Sequence, residues 1–286
     1  MNIGIIGVGE WGKRILRVAN ELSKVTRCAN KHDVSWIEEN YPEIKATLDY
    51  HDILNDRSID AVVIAVPHNE LFKVSKDAII SGKHVFIEKP MAQTSNQAKE
   101  LISLKHKDQI IFIGYVFMYS PIYKKIKSII STDPIINIDA KWSKFGTFDN
   151  DIIFNLASHD IAITLDLFSK MPGRALIKEK TKDTVIIKLG FGRDKTAKIN
   201  IDRMSPLKRK EVNLITESGR KIYWINNKLL ERYNNENGFR SLLDTNESNL
   251  IMEYKEFISC INEKREPVTN DILACKVLNI IEQINE

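Results

Sequence analysis

Cysteine is scarce in this chain. Cys28, Cys260 and Cys275 are the three among 286 residues, far apart, with no CxxC pair and no Cys/His cluster at metal-ligand spacing. That pattern argues against a disulfide framework and a bound metal, and it fits reduced thiols in a cytosol. Long apolar runs are also lacking: none approaches the ~18 residues that a bilayer span requires. Charge of one sign is missing too. Lysine and arginine number 42 against 38 acids, a net charge of +4, and no basic stripe of the kind that nucleic acid demands stands out. Met1 runs into an apolar strand pattern without a cationic leader region or cleavage site, so a cytoplasmic protein without a signal peptide is expected. No internal repeat or low-complexity tract is evident.

The rest of the composition is ordinary for a globular chain. Hydrophobic residues make up 43% and charged residues 28%, which excludes a wholly disordered polymer. The length exceeds one core, so two domains of roughly 100–200 residues are expected. In the first 130 residues apolar runs (2–8, 24–30, 46–50, 60–66, 83–88, 110–116) alternate with helix-like stretches (10–22, 33–40, 51–56, 69–81, 95–107, 121–130). The runs AVVIAV and IIFIGYV are continuous, as strands covered on both faces must be. Strand–helix alternation with short links predicts an α/β fold with a doubly wound parallel sheet. Past Asp133-Pro134 the pattern changes. A segment at 135–145 and a long helix over 151–169 precede runs at 174–180, 183–191, 196–202, 210–217 and 221–226, which read as an antiparallel meander. Helices over 247–263 and 270–285 close the chain, separated by Pro267. The expected domains are 1–118 and 119–286, with the C-terminal helix packing back near the first.

The opening NIGIIGVGEWGKRILRV holds GxGxxG at Gly7, Gly9 and Gly12, between an apolar strand and an amphipathic helix, and that context makes the motif credible. Gly7 permits the turn, Gly9 lets a pyrophosphate approach the backbone, and Gly12 allows helix and strand to close up. Glu10 and Trp11 sit within this cradle at the helix N-terminus, whose free N–H groups suit phosphate. The acidic residue that ends the second strand of such folds falls here at Asn30, followed by Lys31. An amide can bond a ribose hydroxyl and Lys31 can attract a 2′-phosphate, so both NAD and NADP stand open. Val66, Pro67 and His68 end the fourth strand at the ligand edge of the sheet.

The fifth strand ends in Glu88-Lys89-Pro90. A lysine at the mouth of a crevice beside a dinucleotide can bond a substrate hydroxyl or carbonyl and tune proton transfer, and the proline fixes the backbone that aims it. In FNLASHDIAITLDLF, Asn155, Ser158, His159 and Ala162 fall on one face of the expected helix. A histidine there suits acid–base work, because its pKa lies near neutrality.

Together, GEWGKRILRV, SGKHVFIEKP, GYVFMYSPIYKKIK and FNLASHDIAI resemble the glucose–fructose oxidoreductase / inositol dehydrogenase / MocA-like family over nearly the full chain. They look most like its branch in nucleotide-sugar and surface-polysaccharide pathways. The resemblance implies a Rossmann domain plus a C-terminal α/β domain with an open, mostly antiparallel sheet, often an oligomer interface, hence a homodimer or homotetramer. It implies Lys89 and His159 as catalytic residues, with Asn155 where relatives carry Asp. It assigns Gly7, Gly9, Gly12, Val66, Pro67 and Glu88 to the dinucleotide. Tyr115 replaces the histidine of GHxF, and it joins Tyr119, Trp142, Lys144 and His159 where substrate is held. Leu71 replaces a histidine that many relatives have, and the C-terminal domain is short for the family. The implied activity is NAD(P)-dependent hydride transfer to or from a sugar carbon, with C3 of a nucleotide sugar as the expected position. Lys89 and His159 are expected to meet over the nicotinamide. The alternatives are a non-catalytic sensor of NAD(P) or sugar, and a dehydrogenase of a free sugar or inositol. A small-molecule substrate is the expected partner; nucleic acid, membrane and metal are not.

Overall fold

Short runs of β-branched residues, separated by amphipathic stretches, build the first sheet. In the computed structural model, which describes residues 1–146, 148, 151–192, 194–232 and 238–285, these runs become β1 (Asn2–Ile6), β2 (Lys24–Ala29), β3 (Lys45–Thr47), β4 (Ala61–Ile64), β5 (His84–Glu88) and β6 (Ile111–Gly114). The links hold α1 (Glu10–Leu22), α2 (Ser35–Asn40), α3 (His51–Leu54), α4 (His68–Ile80) and α5 (Ser95–Ser103). All neighbouring strands run parallel, in the order β3-β2-β1-β4-β5-β6. Every residue of β4 and β6 is buried, because helices cover both faces. After β3 the chain crosses to the far side of β1, and the strand order reverses there. The carboxyl ends of β1 and β4 therefore flank the crevice where ligands bind in such sheets.

The remaining elements are α6 (Pro121–Ile130), β7 (Ile135–Ser143), α7 (Ser158–Phe168), β8 (Arg174–Lys180), β9 (Thr184–Gly190), β10 (Thr196–Asp202), β11 (Arg209–Thr216), β12 (Lys221–Ile225), β13 (Lys228–Arg232), β14 (Arg240–Asp244), α8 (Asn249–Glu263) and α9 (Asp271–Asn285). A 3₁₀ turn spans Val116–Tyr119 and a π-helical turn Ile153–Ala157. The eight strands form one sheet in the order β14-β13-β12-β11-β7-β10-β9-β8. Inward and outward residues alternate cleanly along β9 to β12, the mark of a sheet with one face on a core. The expected meander is broken at its centre. β7 inserts between β10 and β11, parallel to β10 and antiparallel to β11. β13 and β14 were not expected: KLLER and RSLLD each carry two apolar residues between polar ends, too short a pattern to read as a strand.

The chain divides into two units, Met1–Val116 with Leu250–Cys275, and Phe117–Asn249 with Lys276–Glu286. Most of α8 thus folds with the first unit, whereas the sequence order assigned it to the second. The reason is a hydrophobic surface that needs covering. Phe86 on β5 and Phe112 on β6 stack at 5.0 Å, and Phe257 meets both edge-on at 5.6 and 5.5 Å. The hydroxyls of Tyr254 and Ser23 hydrogen-bond at 2.7 Å, and the Ile113 N–H donates to the Thr269 carbonyl. Among the described residues no helix is long and apolar enough to cross a membrane. Phe257→Ala leaves a cavity between three aromatic rings and is expected to cost about 3–5 kcal/mol. Chemical denaturation of wild type and variant measures that loss, and a cost below about 1 kcal/mol would contradict this packing.

Candidate cofactor and catalytic site

The three glycines of the turn do different work. Gly7 adopts φ +92°, a region open to glycine, and its N–H donates to the Ala29 carbonyl at 2.8 Å. A Cβ on Gly7 would lie 2.5 Å from the Ala65 carbonyl oxygen, and one on Gly12 would lie 2.0 Å from the Gly7 oxygen. A Cβ on Gly9 would meet nothing within 4 Å. Two glycines therefore allow backbone to touch backbone, and the third leaves open space. That space adjoins the start of α1, which has no side-chain cap. Its first N–H groups lack intrahelical acceptors, and the open space beside them fits the pyrophosphate of a dinucleotide. A cleft of about 650 Å³ opens here, lined by Gly7, Gly9, Glu10, Trp11, Gly12, Asn30, Lys31, Val66 and Pro67. His32, Asp49, Tyr50, Glu70 and Lys73 share its wall, and no motif marks them.

Asn30 serves the loop it belongs to. Its Oδ1 accepts from the Val8 N–H at 3.1 Å and its Nδ2 donates to the Asp33 carbonyl at 2.7 Å. Lys31 is paired with Glu70 at 2.6 Å.

Glu88 explains why a buried strand ends in charge. The Trp11 indole N–H donates to Glu88 Oε1, and the Lys89 N–H approaches Oε2 at 3.3 Å. The carboxylate presses on Gly114, where a Cβ would stand 3.0 Å from Oε1. The end of β5 is thereby tied to the glycine turn on one side and to β6 on the other. Burial pushes the Glu88 carboxyl up to about 7, against the pull of the Trp11 bond and the Lys89 charge. Glu253 on α8 is fully buried, and among the described residues neither of its carboxylate oxygens has a hydrogen-bond partner. Burial, and then the charge of Glu88, hold its carboxyl well above the usual range. No motif marks this second acid. Its one signal is spacing: Glu253, Phe257 and Cys260 share a helix face at i, i+4 and i+7, an acid inside an apolar stripe. His68 starts α4 with a buried Nδ1 that has no hydrogen-bond partner among the described residues, and burial with the Lys89 charge lowers its pKa. His68, Glu88 and Lys89 adjoin the cleft without lining it; the Lys89–Pro90 peptide is cis.

In the second unit His159 is 5% exposed. Its ring meets Phe117 at 5.2 Å and Trp142 at 5.5 Å, both edge-on. Both of those rings also face the Lys210 ammonium, 4.6 and 4.7 Å from their centres. Lys210 pairs at 2.5 Å with Asp160, the residue after His159, and both side chains are buried. Lys210 occupies an inward position of β11, in register with Val212 and Leu214, so the legible signal is a cation among core residues. The single polar helix face expected from 155 to 162 is not formed. Asn155 lies in the π-helical turn, and Ser158, His159 and Ala162 on α7 are all buried. Tyr115 and Tyr119 are enclosed, at 1% and 2% exposure, and Trp142 at 7%. Lys144, just past β7, is half-buried. Another hollow of about 580 Å³, beside Phe168 and Phe191, contains none of these residues.

Residues 1–115 match the model of the oxidoreductase family with an NAD-binding Rossmann fold. Inositol 2-dehydrogenase of Salmonella typhimurium is 29% identical over 143 residues, which is 47% of this chain and 43% of that enzyme. An uncharacterized oxidoreductase of Bacillus subtilis is 29% identical over 46% of this chain and 40% of its own. The chain thus spans less than half the length of these curated relatives. In fold the chain is similar to UDP-N-acetylglucosamine 3-dehydrogenase from Acidithiobacillus ferrooxidans, with a TM-score of 0.90 at 20% identity, covering 100% of this chain and 96% of that one. Levoglucosan dehydrogenase in complex with NADH gives 0.89 at 16% identity, covering 100% and 96%. The fold class is therefore a Rossmann unit joined to a mostly antiparallel α/β unit. Residues 1–115 thus match an oxidoreductase family with an NAD-binding Rossmann fold, and the solved structures show the likeness of the fold.

This geometry sets the outcome of two measurements. Gly9→Ala should fold normally, because its methyl enters empty space, yet weaken dinucleotide binding by about tenfold or more. Gly12→Ala should lower Tm instead; equal effects of both variants on Tm would contradict the division of roles. The other measurement concerns the buried acids. A carboxyl whose pKa is higher folded than unfolded holds extra protons in the folded chain, so its contribution to stability declines as pH climbs. For Glu88 that decline runs from its ordinary 4.5 up to about 7, and Glu253, whose carboxyl is raised by burial, contributes a decline of the same sign. Glu253→Gln should raise Tm at pH 8 by about 3 °C or more and have a smaller effect at pH 5. Thermal unfolding at both pH values provides the check.

Proposed function

We propose that the chain is an NAD(P)-dependent oxidoreductase that moves hydride between nicotinamide and a sugar carbon, at the C3 hydroxyl or ketone of a nucleotide sugar in surface-polysaccharide biosynthesis. The observation that carries this reading is the bond from Trp11, inside the glycine cradle, to Glu88, the residue before Lys89. It fixes a lysine-bearing strand end against a cleft that suits a dinucleotide. When bound, the nicotinamide supplies the hydride acceptor or donor. Lys89 handles the other half of the balance: its amine takes the hydroxyl proton as an alcohol is oxidised, or its ammonium returns one as a ketone is reduced. His159 is proposed to share that proton transfer, held by Phe117 and Trp142. Lys144 is the proposed substrate contact with accessible surface, and Tyr115, Tyr119 and Trp142 are the enclosed residues proposed to shape the substrate side. The likeness to a UDP-N-acetylglucosamine 3-dehydrogenase supports a nucleotide sugar; the inositol 2-dehydrogenase relatives favour a second reading, a free polyol.

Turnover separates the two. Purified protein should reduce NAD(P)⁺ with UDP-N-acetylhexosamines in preference to myo-inositol. The reverse order would favour the polyol, and cofactor binding without turnover on any substrate would point to a sensor. Lys89→Ala should lower kcat by roughly 10²–10⁴-fold while retaining cofactor binding. Near-normal kcat in that variant removes the lysine from the mechanism.

A further inference from the structure

The cleft contains an acid on an element where the sequence pattern does not look for one. In dinucleotide folds the adenosine ribose is read by an acidic residue at the end of the second strand. Here β2 ends at Ala29, and Asn30 comes next with both ends of its amide engaged by Val8 and Asp33. The next residue, Lys31, taken alone would recruit a 2′-phosphate. It does not stand alone. Its ammonium lies 2.6 Å from Glu70 Oε1, and both residues line the cleft. Glu70 is in the first turn of α4, which succeeds β4, on the far side of β1 from β2.

We propose that the carboxylate of Glu70, which also offsets the charge of Lys31, makes the cleft prefer a dinucleotide with a free 2′-hydroxyl over one with a 2′-phosphate. The assignment rests on the dinucleotide reading above and names the specificity residue of that site. A carboxylate is acceptor-only: it takes hydrogen bonds from ribose hydroxyls and repels a phosphate. Its charge also offsets that of Lys31, the cation beside the end of β2 that would otherwise neutralise a 2′-phosphate. The wider lining points the same way. Its charged residues are Lys31 and Lys73 against Glu10, Asp49 and Glu70, two cations to three anions, which leaves no surplus positive charge for an added phosphate. The acid missing from β2 is thus supplied by α4, and it neutralises the cation that follows β2.

Equilibrium binding of NAD⁺ and NADP⁺, measured by calorimetry, tests this without reliance on turnover. The wild-type chain should bind NAD⁺ at least about tenfold more tightly. Glu70→Gln keeps the shape and removes the charge; it should shift the NAD⁺/NADP⁺ affinity ratio towards NADP⁺ by about 10- to 100-fold. Adding Lys31→Ala to that variant should abolish the gain in NADP⁺ affinity. Tm of each variant verifies folding, and the single Lys31→Ala variant, which leaves Glu70 in place, should still favour NAD⁺ should the glutamine variant prove unstable. A wild-type preference for NADP⁺, an unchanged ratio in Glu70→Gln, or a lost preference in Lys31→Ala overturns the assignment and leaves the dinucleotide reading intact. Failure of both dinucleotides to bind the wild type overturns the reading of the cleft, and this assignment with it.

Discussion

The first unit is organised by one backbone contact, that of Gly12 with the carbonyl of Gly7. No side chain separates the start of α1 from the end of β1, so the helix begins immediately beyond the strand and its uncapped N–H groups face open space. The same closeness places Trp11 where its indole reaches the last residue of β5. A glycine turn at β1 and a charged dipeptide at β5, with β4 between them in the sheet, are thus parts of one construction. Without that contact the cradle would be a loop, and the strand end bearing Lys89 would lose its tether.

Both units carry buried ionisable groups at a cost in stability. Glu88 and Glu253 sit in one desolvated region, where the Trp11 indole is the strong donor. Asp160 and Lys210 form a buried pair whose desolvation offsets much of its attraction. Packing alone explains neither arrangement, since apolar residues of similar volume would serve a core as well or better. What each gains is placement. Glu88 fixes the strand end that carries Lys89, and the Asp160–Lys210 pair ties the residue after His159 to β11, between the two aromatic rings that flank the imidazole.

Much of this was legible in the sequence, for reasons that differ by element. The parallel sheet was readable because strands covered on both faces leave continuous apolar runs, as in β4 and β6. The ends of α1 and α6 coincide with the sequence boundaries because a glycine turn and a Ser-Pro pair mark their starts. What stayed hidden depends on distant pairing. The insertion of β7 between β10 and β11 leaves no local trace, and β13 and β14 are too short to show a period. The cleft residues on β1, β2 and β4 were readable from strand ends, whereas Glu70 lies in the first turn of a helix and Glu253 and Lys210 lie within a helix and a strand, where a charged residue is normally taken for a solvated one.

At the π-helical turn, Ile153–Ala157, the Ser158 N–H bonds to the Ile153 carbonyl five residues back, so this stretch accommodates one residue more per turn than α7 does. A helix advances about 100° per residue, and the surplus residue shifts everything upstream out of phase with α7. Position 155 is thereby displaced from the place one turn beneath His159, and Phe154 moves towards it. Aligning this segment letter by letter with an uninterrupted helix would therefore compare side chains that point in different directions.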